Sequence, residues 1–594
     1  VGALRGAPGA EYDLQFYGME KACLPPEFTR CMLSLSQPGG LDFELREFDL
    51  LRGEFVPDGF HVPASQGGAI WMDVDHLLIN HGVGAAPKLP NGSAAATYLW
   101  ERGSPLDRAR VVFRAEPTDA RLILGATGVG RDRVGSILRM IDSSTFETLL
   151  VRENGVLERT SFPLKIKPSV MSPTGGRLVA QLAEPYEIGG RIFPAETVIA
   201  YDTAQDTPDT KRLSVIYAPR TDEFLTNMFG IASGISKVRM IFDRRGLQRM
   251  VTATHRGENW VIDNQPAEAI GTTISFGAVD PNGDDVIVRR SGYLLPSRLE
   301  LVTDKAAPKL LFSESPVIDA NEFSVALQSA RSKDGTDIDY FLLRPKTLLN
   351  PGETPTLLTA YGGFGSAHSP TYFDLGVGGK SLALWLMRGG ALAVALVRGG
   401  GERGEAWHQA AIREKRQNSF DDFVAVSEAL IADGFTRPAR LGAFGRSNGG
   451  LLAAVMGTQR PDLYGAIVSD VPLADLLRMG FMGMGAAWAD EYGDMADPAM
   501  RMAINRYSPF QNIAKGRAYP PFLVTASTSD DVVGPGHARK LVAKLNDAGA
   551  EALYLEEPKG GHMVSNPLTQ PDLMADRMTF LINRLMVSDS KDGQ

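Results

Sequence analysis

A serine in the segment 440–459 stands where it could act as a nucleophile. The segment reads RLGAFGRSNGGLLAAVMGTQ, with a G-x-S-x-G pattern centred on Ser447 between an apolar predicted strand and an apolar predicted helix. This strand–turn–helix context, more than the short pattern itself, is typical of a nucleophile elbow, which holds the serine Oγ above a sheet. The helix N-terminus also favours negative charge that develops beside the serine. A plain glycine-rich helix start is the alternative interpretation.

A nucleophilic serine needs a general base, and the base needs a carboxylate to orient it. In this kind of elbow the order along the chain is serine, acid, histidine. Only His537 and His562 follow Ser447. His562 lies in the glycine-rich loop PKGGHMV after an apolar strand, from which an imidazole can reach Ser447. His537 lies at the start of a predicted helix, and we expect it to be structural.

The acid is expected in the loop that follows the predicted strand 521–527. Asp530 and Asp531 are consecutive there, and either can lie at the carboxyl edge of a sheet. On spacing alone we favour Asp530 and keep Asp531 as the alternative. A solvated turn or a helix cap is the non-catalytic interpretation of this pair.

The elements that must position these side chains alternate from about residue 317 to 594. Apolar runs predict buried strands at 357–363, 391–400, 440–445, 465–470, 521–527 and 551–557, and helices at 419–434, 449–459, 536–549 and 570–585. Ser419 is predicted to cap the first of these helices. Apolar strands that alternate with helices predict a doubly wound, mostly parallel sheet covered on both faces.

The first half of the chain has a different pattern. Short apolar runs are separated by turn residues, as in 46–56 and 108–116, and few stretches keep a helical period. Successive strands without helices predict a sandwich, a barrel or a propeller, and the propeller is the leading option. We therefore predict an all-β domain over 1–316 and an α/β domain over 317–594.

Charge and hydropathy exclude several classes of partner. The 594 residues include 61 Lys+Arg and 70 Asp+Glu, a formal net charge of −9, so the chain lacks the basic excess that nucleic acid binding needs. No run reaches the roughly 18–20 apolar residues of a membrane span. The best candidate, 381–397, is broken by Arg388-Gly389-Gly390 and predicts a helix, a turn and a buried strand. We expect neither a nucleic acid nor a membrane partner.

The chain has two cysteines, Cys23 and Cys31. They are too few for a disulfide-rich scaffold or a cysteine-based zinc site, and we expect ordinary thiols in or near a core, although they could pair in an oxidising compartment. The histidines are scattered singly, and 398–404 lacks the ending of a phosphate loop, so we expect no metal and no cofactor. Because the chain is acidic and has few cysteines, we predict that it is cytoplasmic, or periplasmic or secreted if an export signal has been removed.

The C-terminal half resembles the prolyl oligopeptidase family of serine peptidases. The resemblance rests on blocks that occur in order: AYGGFG (360–365), VRGGGERGEAWH (397–408), NSFDDF (418–423), GRSNGG (445–450), AAWADEYGD (486–494), YSPFQNI (507–513), SDDVVGPGHARK (529–540) and GGH (560–562). It implies an α/β-hydrolase catalytic domain gated by an N-terminal β-propeller. That propeller has seven blades in the family, and we expect it to be incomplete at its N-terminus here.

The resemblance also implies roles for single residues. Ser447 matches the nucleophile, Asp530 the orienting acid and His562 the general base. Tyr361 matches the tyrosine whose hydroxyl donates to the oxyanion, and the backbone N–H of Asn448 matches the second donor.

A proline pocket is implied as well. Trp488 matches the tryptophan that stacks on the proline ring, and other walls of the pocket match Phe364, Tyr492 and Val533. Aromatic faces suit a flat apolar ring that carries no hydrogen-bond donor. Ordinary core or lid packing is the alternative for Trp488 and Tyr492.

One position departs from the family pattern. Val532 stands where the family has an arginine that holds a carbonyl of the substrate backbone.

Taken together, the motifs and the resemblance predict a serine peptidase that cleaves short peptides on the carboxyl side of proline through an acyl-enzyme. A carboxylesterase or aryl-amidase on the same scaffold is the alternative that Val532 suggests, and a non-catalytic binding scaffold is the third hypothesis.

Overall fold

The molecule has an all-β half followed by an α/β half. The computed structural model describes residues 13–15, 22–36, 42–128, 130–142, 144–204, 207, 209–226, 230–280, 282–348, 352–373, 379, 381–563 and 571–587.

Six antiparallel sheets of four or five strands follow one another in the described part of the first half, together with one separate two-stranded hairpin. The first three sheets contain β1 (Asp13–Gln15), β2 (Arg30–Ser36), β3 (Phe43–Asp49), β4 (Glu54–Phe55) and β5 (His61–Ser65); β6 (Gly68–Trp71), β7 (His76–Asn80), β8 (Ala96–Glu101) and β9 (Arg110–Arg114); and β10 (Arg121–Thr127), β11 (Val134–Met140), β12 (Phe146–Val151) and β13 (Leu157–Arg159).

The fourth sheet begins with β14 (Ile166–Thr174) and β15 (Arg177–Leu182). The next two strands, β16 (Tyr186–Ile188) and β17 (Arg191–Phe193), form a separate two-stranded hairpin outside it. The fourth sheet is completed by β18 (Val198–Asp202) and, after the short helix α1 (Asp209–Arg212), by β19 (Leu213–Tyr217). The last two sheets contain β20 (Phe224–Leu225), β21 (Ile231–Ser233), β22 (Lys237–Arg244), β23 (Leu247–Arg256) and β24 (Asn259–Ala267); and β25 (Thr272–Val279), β26 (Val286–Gly292), β27 (Arg298–Val302) and β28 (Lys309–Ser313).

Consecutive sheets share apolar cores, as the blades of a propeller do. Leu138 of the third sheet and Tyr201 of the fourth, for example, lie in one buried cluster. The first and last of these sheets are also in contact, because the side chain of Asn282 donates to the carbonyl of Pro26 at 2.9 Å. The described residues therefore hold six blade-like sheets, and the seventh that the resemblance implies is not among them.

The prediction of two ordinary thiols was wrong. Cys23, which precedes β2, and Cys31 in β2 form a disulfide, with their Cα atoms 3.9 Å apart. The two residues face each other in an isolated antiparallel bridge, a pairing that the turn between them creates and that the spacing alone did not reveal.

The second half is built on one eight-stranded sheet in the order β29-β30-β32-β31-β33-β34-β35-β36. β30 pairs antiparallel with β29 and β32, and the other pairs are parallel. The elements are β29 (Phe323–Arg331), β30 (Asp337–Pro345), β31 (Thr356–Thr359), α2 (Ser381–Met387), β32 (Ala391–Ala395), α3 (Glu405–Gln409), α4 (Gln417–Ala432), β33 (Leu441–Arg446), α5 (Asn448–Gln459), β34 (Ala466–Asp470), α6 (Ala489–Tyr492), α7 (Pro498–Asn505), α8 (Pro509–Asn512), β35 (Phe522–Ser527), α9 (Gly536–Asp547), β36 (Ala552–Glu557) and α10 (Pro571–Leu585).

Helices cover both faces of this sheet. Adjacent strand residues alternate between two cores: Leu358 packs into the cluster that contains α4, α5 and α9, and Leu357 into the cluster that contains α2 and α10. This is the doubly wound arrangement predicted from the apolar strands. None of the helices in the described ranges is long and apolar enough to cross a membrane.

Two predicted details differ from the structure. The predicted strands 357–363 and 391–400 end earlier, because the chain turns at Gly362 and Gly399, whose φ angles are 62° and 92°. Ser419 does not cap α4, which already begins at Gln417. Its hydroxyl lies inside the first turn and donates to the carbonyl of Arg398 at 2.5 Å instead.

Candidate active site

The turn between β33 and α5 holds Ser447 in a left-handed conformation, with φ 57° and ψ −118°. Its N–H donates to the carbonyl of Asp470 at 2.9 Å. The glycines on either side are required by close approach: a Cβ at Gly445 would lie 2.0 Å from the carbonyl oxygen of Gly449, and one at Gly449 would lie 2.7 Å from that of Ala360. This strained turn presents Ser447 at the carboxyl end of β33.

His562 and Asp530 lie beside this serine. His562 Nε2 is 3.0 Å from Ser447 Oγ, and His562 Nδ1 is 2.9 Å from Asp530 Oδ2. The three residues follow β33, β35 and β36, so the parallel register brings their loops to one edge of the sheet. Side chains 115 and 32 positions apart thus form one hydrogen-bonded chain.

The surroundings of Asp530 favour its ionised form. Its Oδ1 accepts the N–H groups of Val532 and Val533, both at 3.0 Å. Burial opposes ionisation, but the hydrogen bond and charge of His562, together with these N–H groups, hold the pKa of Asp530 below its ordinary value. An ionised carboxylate keeps the proton on His562 Nδ1, so that Nε2 can accept one from Ser447.

The two alternatives for acid and base lie elsewhere. Asp531 is exposed. The Nδ1 atom of His537 accepts the N–H groups of Ala474 at 3.2 Å and Asp475 at 3.1 Å, and burial lowers its pKa to about 4. His537 is therefore a neutral, buried acceptor, as expected of a structural residue. The described residues contain no group of three or more His, Cys, Asp or Glu that could hold a metal ion.

Two potential donors flank Ser447. The hydroxyl of Tyr361, in the loop after β31, lies near enough to Ser447 for that side chain to affect its pKa. Burial raises the pKa of Tyr361, with Ser447 acting in the opposite direction, so the phenol stays protonated and can donate. Asn448 is the first residue of α5, where N–H groups have no acceptor within the helix. Together they can stabilise an oxyanion on a carbonyl attacked by Ser447.

Aromatic rings surround the position beside Tyr361. The ring centroid of Phe364 lies 6.1 Å from that of Trp488 and 5.9 Å from that of Tyr492, and both pairs are edge-to-face. Phe364 is exposed and Trp488 is half-buried, whereas Tyr492 is fully buried and Val533 lies in the same buried cluster. The accessible rings can receive a flat apolar side chain, with Tyr492 and Val533 behind them.

Sequence reasoning missed several charged residues in this region. Arg446 occupies the variable position before the serine, and its Nη2 donates to the carbonyl of His562 at 2.5 Å. Arg416 and Glu491 form a buried ion pair behind Tyr492. All three lie in or next to blocks that carried the family resemblance, but only burial distinguishes them from solvent-exposed charges.

The sequence and the fold of this chain are similar to those of known proteins. The model of the prolyl oligopeptidase family matches residues 379–587. An uncharacterized peptidase of Sinorhizobium fredii, y4nA, is 33% identical over 561 residues, which cover 92% of this chain and 75% of that protein. A prolyl endopeptidase of Elizabethkingia miricola is 35% identical over 265 residues, 44% of this chain and 37% of that protein.

A solved structure extends the similarity to the whole fold. The structure of a post-proline cleaving enzyme from Rickettsia typhi covers 97% of this chain and 84% of its own, at 24% identity and a TM-score of 0.85. It confirms the predicted fold, an α/β hydrolase joined to a β-propeller. Given this fold and a relative that is 33% identical over most of both chains, the chain belongs to the prolyl oligopeptidase family of serine peptidases.

Proposed function

We propose that this chain hydrolyses short peptides on the carboxyl side of proline. The observation that carries the proposal is the hydrogen-bonded chain from Ser447 through His562 to Asp530, next to an accessible group of aromatic rings. Relatives that carry the names prolyl endopeptidase and post-proline cleaving enzyme support the choice of proline.

Acylation begins with attack by Ser447 Oγ on the carbonyl carbon of the scissile bond. His562 Nε2 accepts the serine proton, and Asp530 stabilises the imidazolium that results. The tetrahedral intermediate places its negative oxygen between the hydroxyl of Tyr361 and the N–H of Asn448. When His562 returns the proton to the leaving amine, the C–N bond breaks and an ester on Ser447 remains.

Deacylation repeats these steps with water. His562 removes a proton from the water molecule, whose oxygen attacks the ester carbonyl. The second tetrahedral intermediate collapses, His562 protonates Ser447 Oγ, and a peptide ending in a proline carboxylate leaves. The proline ring occupies the aromatic group around Trp488 and Phe364 in both halves of the reaction.

We assign gating to the first half of the chain. In this proposal 1–316 is a propeller domain that excludes folded proteins, and 317–594 is the catalytic domain. A folded protein with an exposed Ala-Pro loop should then resist cleavage that the same sequence undergoes as a free oligopeptide. Equal cleavage rates for the two substrates would contradict gating and leave the catalytic assignment untouched.

The catalytic assignment is tested by Ser447→Ala on a proline arylamide. The variant should lose activity by at least about 10⁴-fold, because the nucleophile is absent. Digestion of a peptide library, read by mass spectrometry, should give fragments that end in proline. Wild-type rates in the variant would contradict the role of Ser447, and cuts without regard to proline would contradict the proline preference.

A second candidate, an esterase or aryl-amidase, rests on Val532. Without the arginine of the family, one anchor for a peptide carbonyl is missing. The values of kcat/KM for a proline amide, an alanine amide and an aryl ester distinguish the two candidates, since only a peptidase with a proline pocket prefers the first amide over the second. Val532→Arg should raise kcat/KM for longer proline peptides by about 10-fold if the anchor alone is lacking.

The disulfide bears on the compartment. Disulfides persist in oxidising compartments and are rare in the cytosol. The Cys23–Cys31 disulfide therefore favours the periplasm or the cell exterior over the cytoplasm. Alkylation of the protein in freshly lysed cells tests this, and two alkylated thiols would favour the cytoplasm instead.

A further inference from the structure

A buried ion pair lies behind the two proposed oxyanion donors. Arg416, just before α4, has a side chain that is 1% exposed, and its Nη1 donates to Glu491 Oε1 at 2.6 Å. The side chain of Glu491 is 4% exposed. Because removing two charges from water costs free energy that their attraction barely recovers, such a pair is a poor source of plain stability. Its remaining contacts indicate another role.

Arg416 orients the side chain of Asn448. Its Nη2 donates to Asn448 Oδ1, which also accepts the hydroxyl of Tyr492 at 2.7 Å. The amide nitrogen of the same side chain donates to the backbone carbonyl of Tyr361 at 2.5 Å. One carboxamide thus ties the residue that supplies one proposed oxyanion donor to the backbone of the residue that supplies the other.

Glu491 holds the far end of the same loop. Its Oε1 accepts the N–H of Phe364 at 2.9 Å, and Phe364 has a φ of 57°, a conformation that costs free energy in a residue with a side chain. The loop also lies directly on the cluster. A Cβ at Gly363 would be 2.5 Å from Asn448 Nδ2 and 2.9 Å from Arg416 Nη2.

His408 completes the cluster. Its Nε2 lies 2.8 Å from Glu491 Oε2, and its Nδ1 lies 3.4 Å from Glu405 Oε1. Burial acts to lower the pKa of His408, but these two carboxylates raise it to about 9. Glu491 therefore stands between two cations and contacts three segments of the chain at once.

We propose that Arg416 and Glu491 are positioning residues that hold the loop 361–365 against Asn448 and so set the separation of the two oxyanion donors. This inference rests on the function proposed above. The donors stabilise charge that develops only in the transition state, so a shift in their separation lowers kcat much more than it changes KM. Within the described residues, neither Arg416 nor Glu491 forms a hydrogen bond with Ser447 or His562.

A matched control pair lies beside the buried pair: Arg413 precedes Arg416 by three positions, and Asp490 directly precedes Glu491. Arg413 and Asp490 join the same two segments at 3.3 Å, but their side chains are 49% and 69% exposed. Arg416→Met and Glu491→Gln should lower kcat for a proline arylamide by about 10²-fold while KM stays within about 3-fold. Arg413→Met and Asp490→Asn should stay within about 2-fold of wild type, since exposed pairs contribute little. All rates are expressed per active site, titrated with an organophosphonate.

A transition-state mimic sharpens the test. A peptide aldehyde ending in proline forms a hemiacetal with Ser447 and places an oxygen between the two donors, whereas the cleaved product does not. The affinity of Arg416→Met for the aldehyde should fall in parallel with its kcat, and its affinity for the product should not. Arg416→Lys, which keeps the charge, should recover part of the loss, and the double variant should be no worse than the poorer single variant.

Two outcomes would overturn the inference. If the variants show fewer titratable sites but wild-type turnover per site, Arg416 and Glu491 only stabilise the fold. If kcat and KM change together, and by the same factor in Arg416→Met and in Arg413→Met, the buried pair does not position the oxyanion donors. Failure of the proposed function has a different signature: the wild type would not bind the aldehyde, and Ser447→Ala would keep its activity.

Discussion

Asp530 in the candidate active site is buried and Glu402 at the interface between the two halves is half-buried, yet their pKa values move in opposite directions. For Asp530, the effect of burial is outweighed by His562 and by two backbone N–H groups, and the pKa lies below its ordinary value. For Glu402, burial dominates and raises the pKa to about 7. Depth alone does not decide the charge of a carboxyl group; the number and type of its donors do.

The carboxylates at the interface have few hydrogen-bond donors around them. Glu402 lines a cavity of about 50 Å³ between the fifth sheet and the second half of the chain. Its Oε1 accepts the N–H of His368 at 3.0 Å, but its Oε2 is buried without a hydrogen-bond partner among the residues that the structure describes. Asp243, near the end of β22, lines the same cavity, and burial raises its pKa to about 6. The charge of Asp243 also raises the pKa of Glu402.

The contrast has a functional meaning. In the candidate active site, the lowered pKa keeps Asp530 ionised across the neutral range, so its carboxylate can orient the imidazole of His562. The interface carries two acids from opposite halves that take up or release protons as the pH crosses that range. Stability should therefore depend on pH with opposite signs in the two regions.

The largest expected effect tests the active-site side of the comparison. Asp530→Asn should lower kcat for a proline arylamide by about 10⁴-fold, because an amide stabilises the wrong tautomer and no imidazolium charge. Asp531→Asn, at the exposed neighbour, should change kcat by no more than about 2-fold. Steady-state kinetics on both variants decide the assignment, and the reverse ranking would transfer the role to Asp531.

The next effect concerns the oxyanion. Tyr361→Phe removes one hydroxyl donor and keeps the ring, so kcat should fall by about 10²- to 10³-fold with little change in KM. Affinity for a ground-state product peptide should stay at the wild-type value. A variant with wild-type kcat would show that Tyr361 does not donate in the transition state.

At the interface, Glu402→Gln should change the pH dependence of stability. The folded state retains the proton of Glu402 up to about pH 7, whereas the unfolded chain loses it near the ordinary value of 4.5, so the wild type loses stability as the pH rises between these values. The span corresponds to on the order of 3 kcal/mol. The variant lacks this loss, so its free energy of unfolding relative to that of the wild type should rise by up to that amount between pH 4 and 8. Thermal midpoints that differ by a constant across this range would contradict the interpretation.

The smallest effect is expected at the rim of the same cavity. Arg245 reaches across the interface to Asp339 at 2.9 Å, but its side chain is 60% exposed and Asp339 keeps a second partner in Arg403 at 2.8 Å. Arg245→Met should therefore cost less than about 1 kcal/mol. Denaturant midpoints measured at low and high salt check this value. A loss of several kcal/mol would mean that the exposed pair, rather than the buried acids, governs the interface.

Local patterns were sufficient for the elements that carry the chemistry. The runs around Ser447 predicted β33, the turn and α5 to within a residue or two, because an apolar strand, small turn residues and an apolar helix are all encoded within 20 positions. The helix at 571–585 and the strand at 552–557 were predicted in the same way. The family blocks then supplied candidate roles that spacing alone left open, including the choice between Asp530 and Asp531.

Tertiary structure decided the pairings. Three contacts depend on which surfaces meet in the fold. They are the disulfide between Cys23 and Cys31, the hydrogen bond from the Ser419 hydroxyl to a backbone carbonyl outside its helix, and the ion pair of Arg416 with Glu491. Such contacts link positions up to 75 residues apart in the case of the ion pair. A side chain's neighbours along the chain set its helical or strand preference, but its charge state and its partners are set by the groups that burial brings within a few ångströms, and those come from distant parts of the sequence.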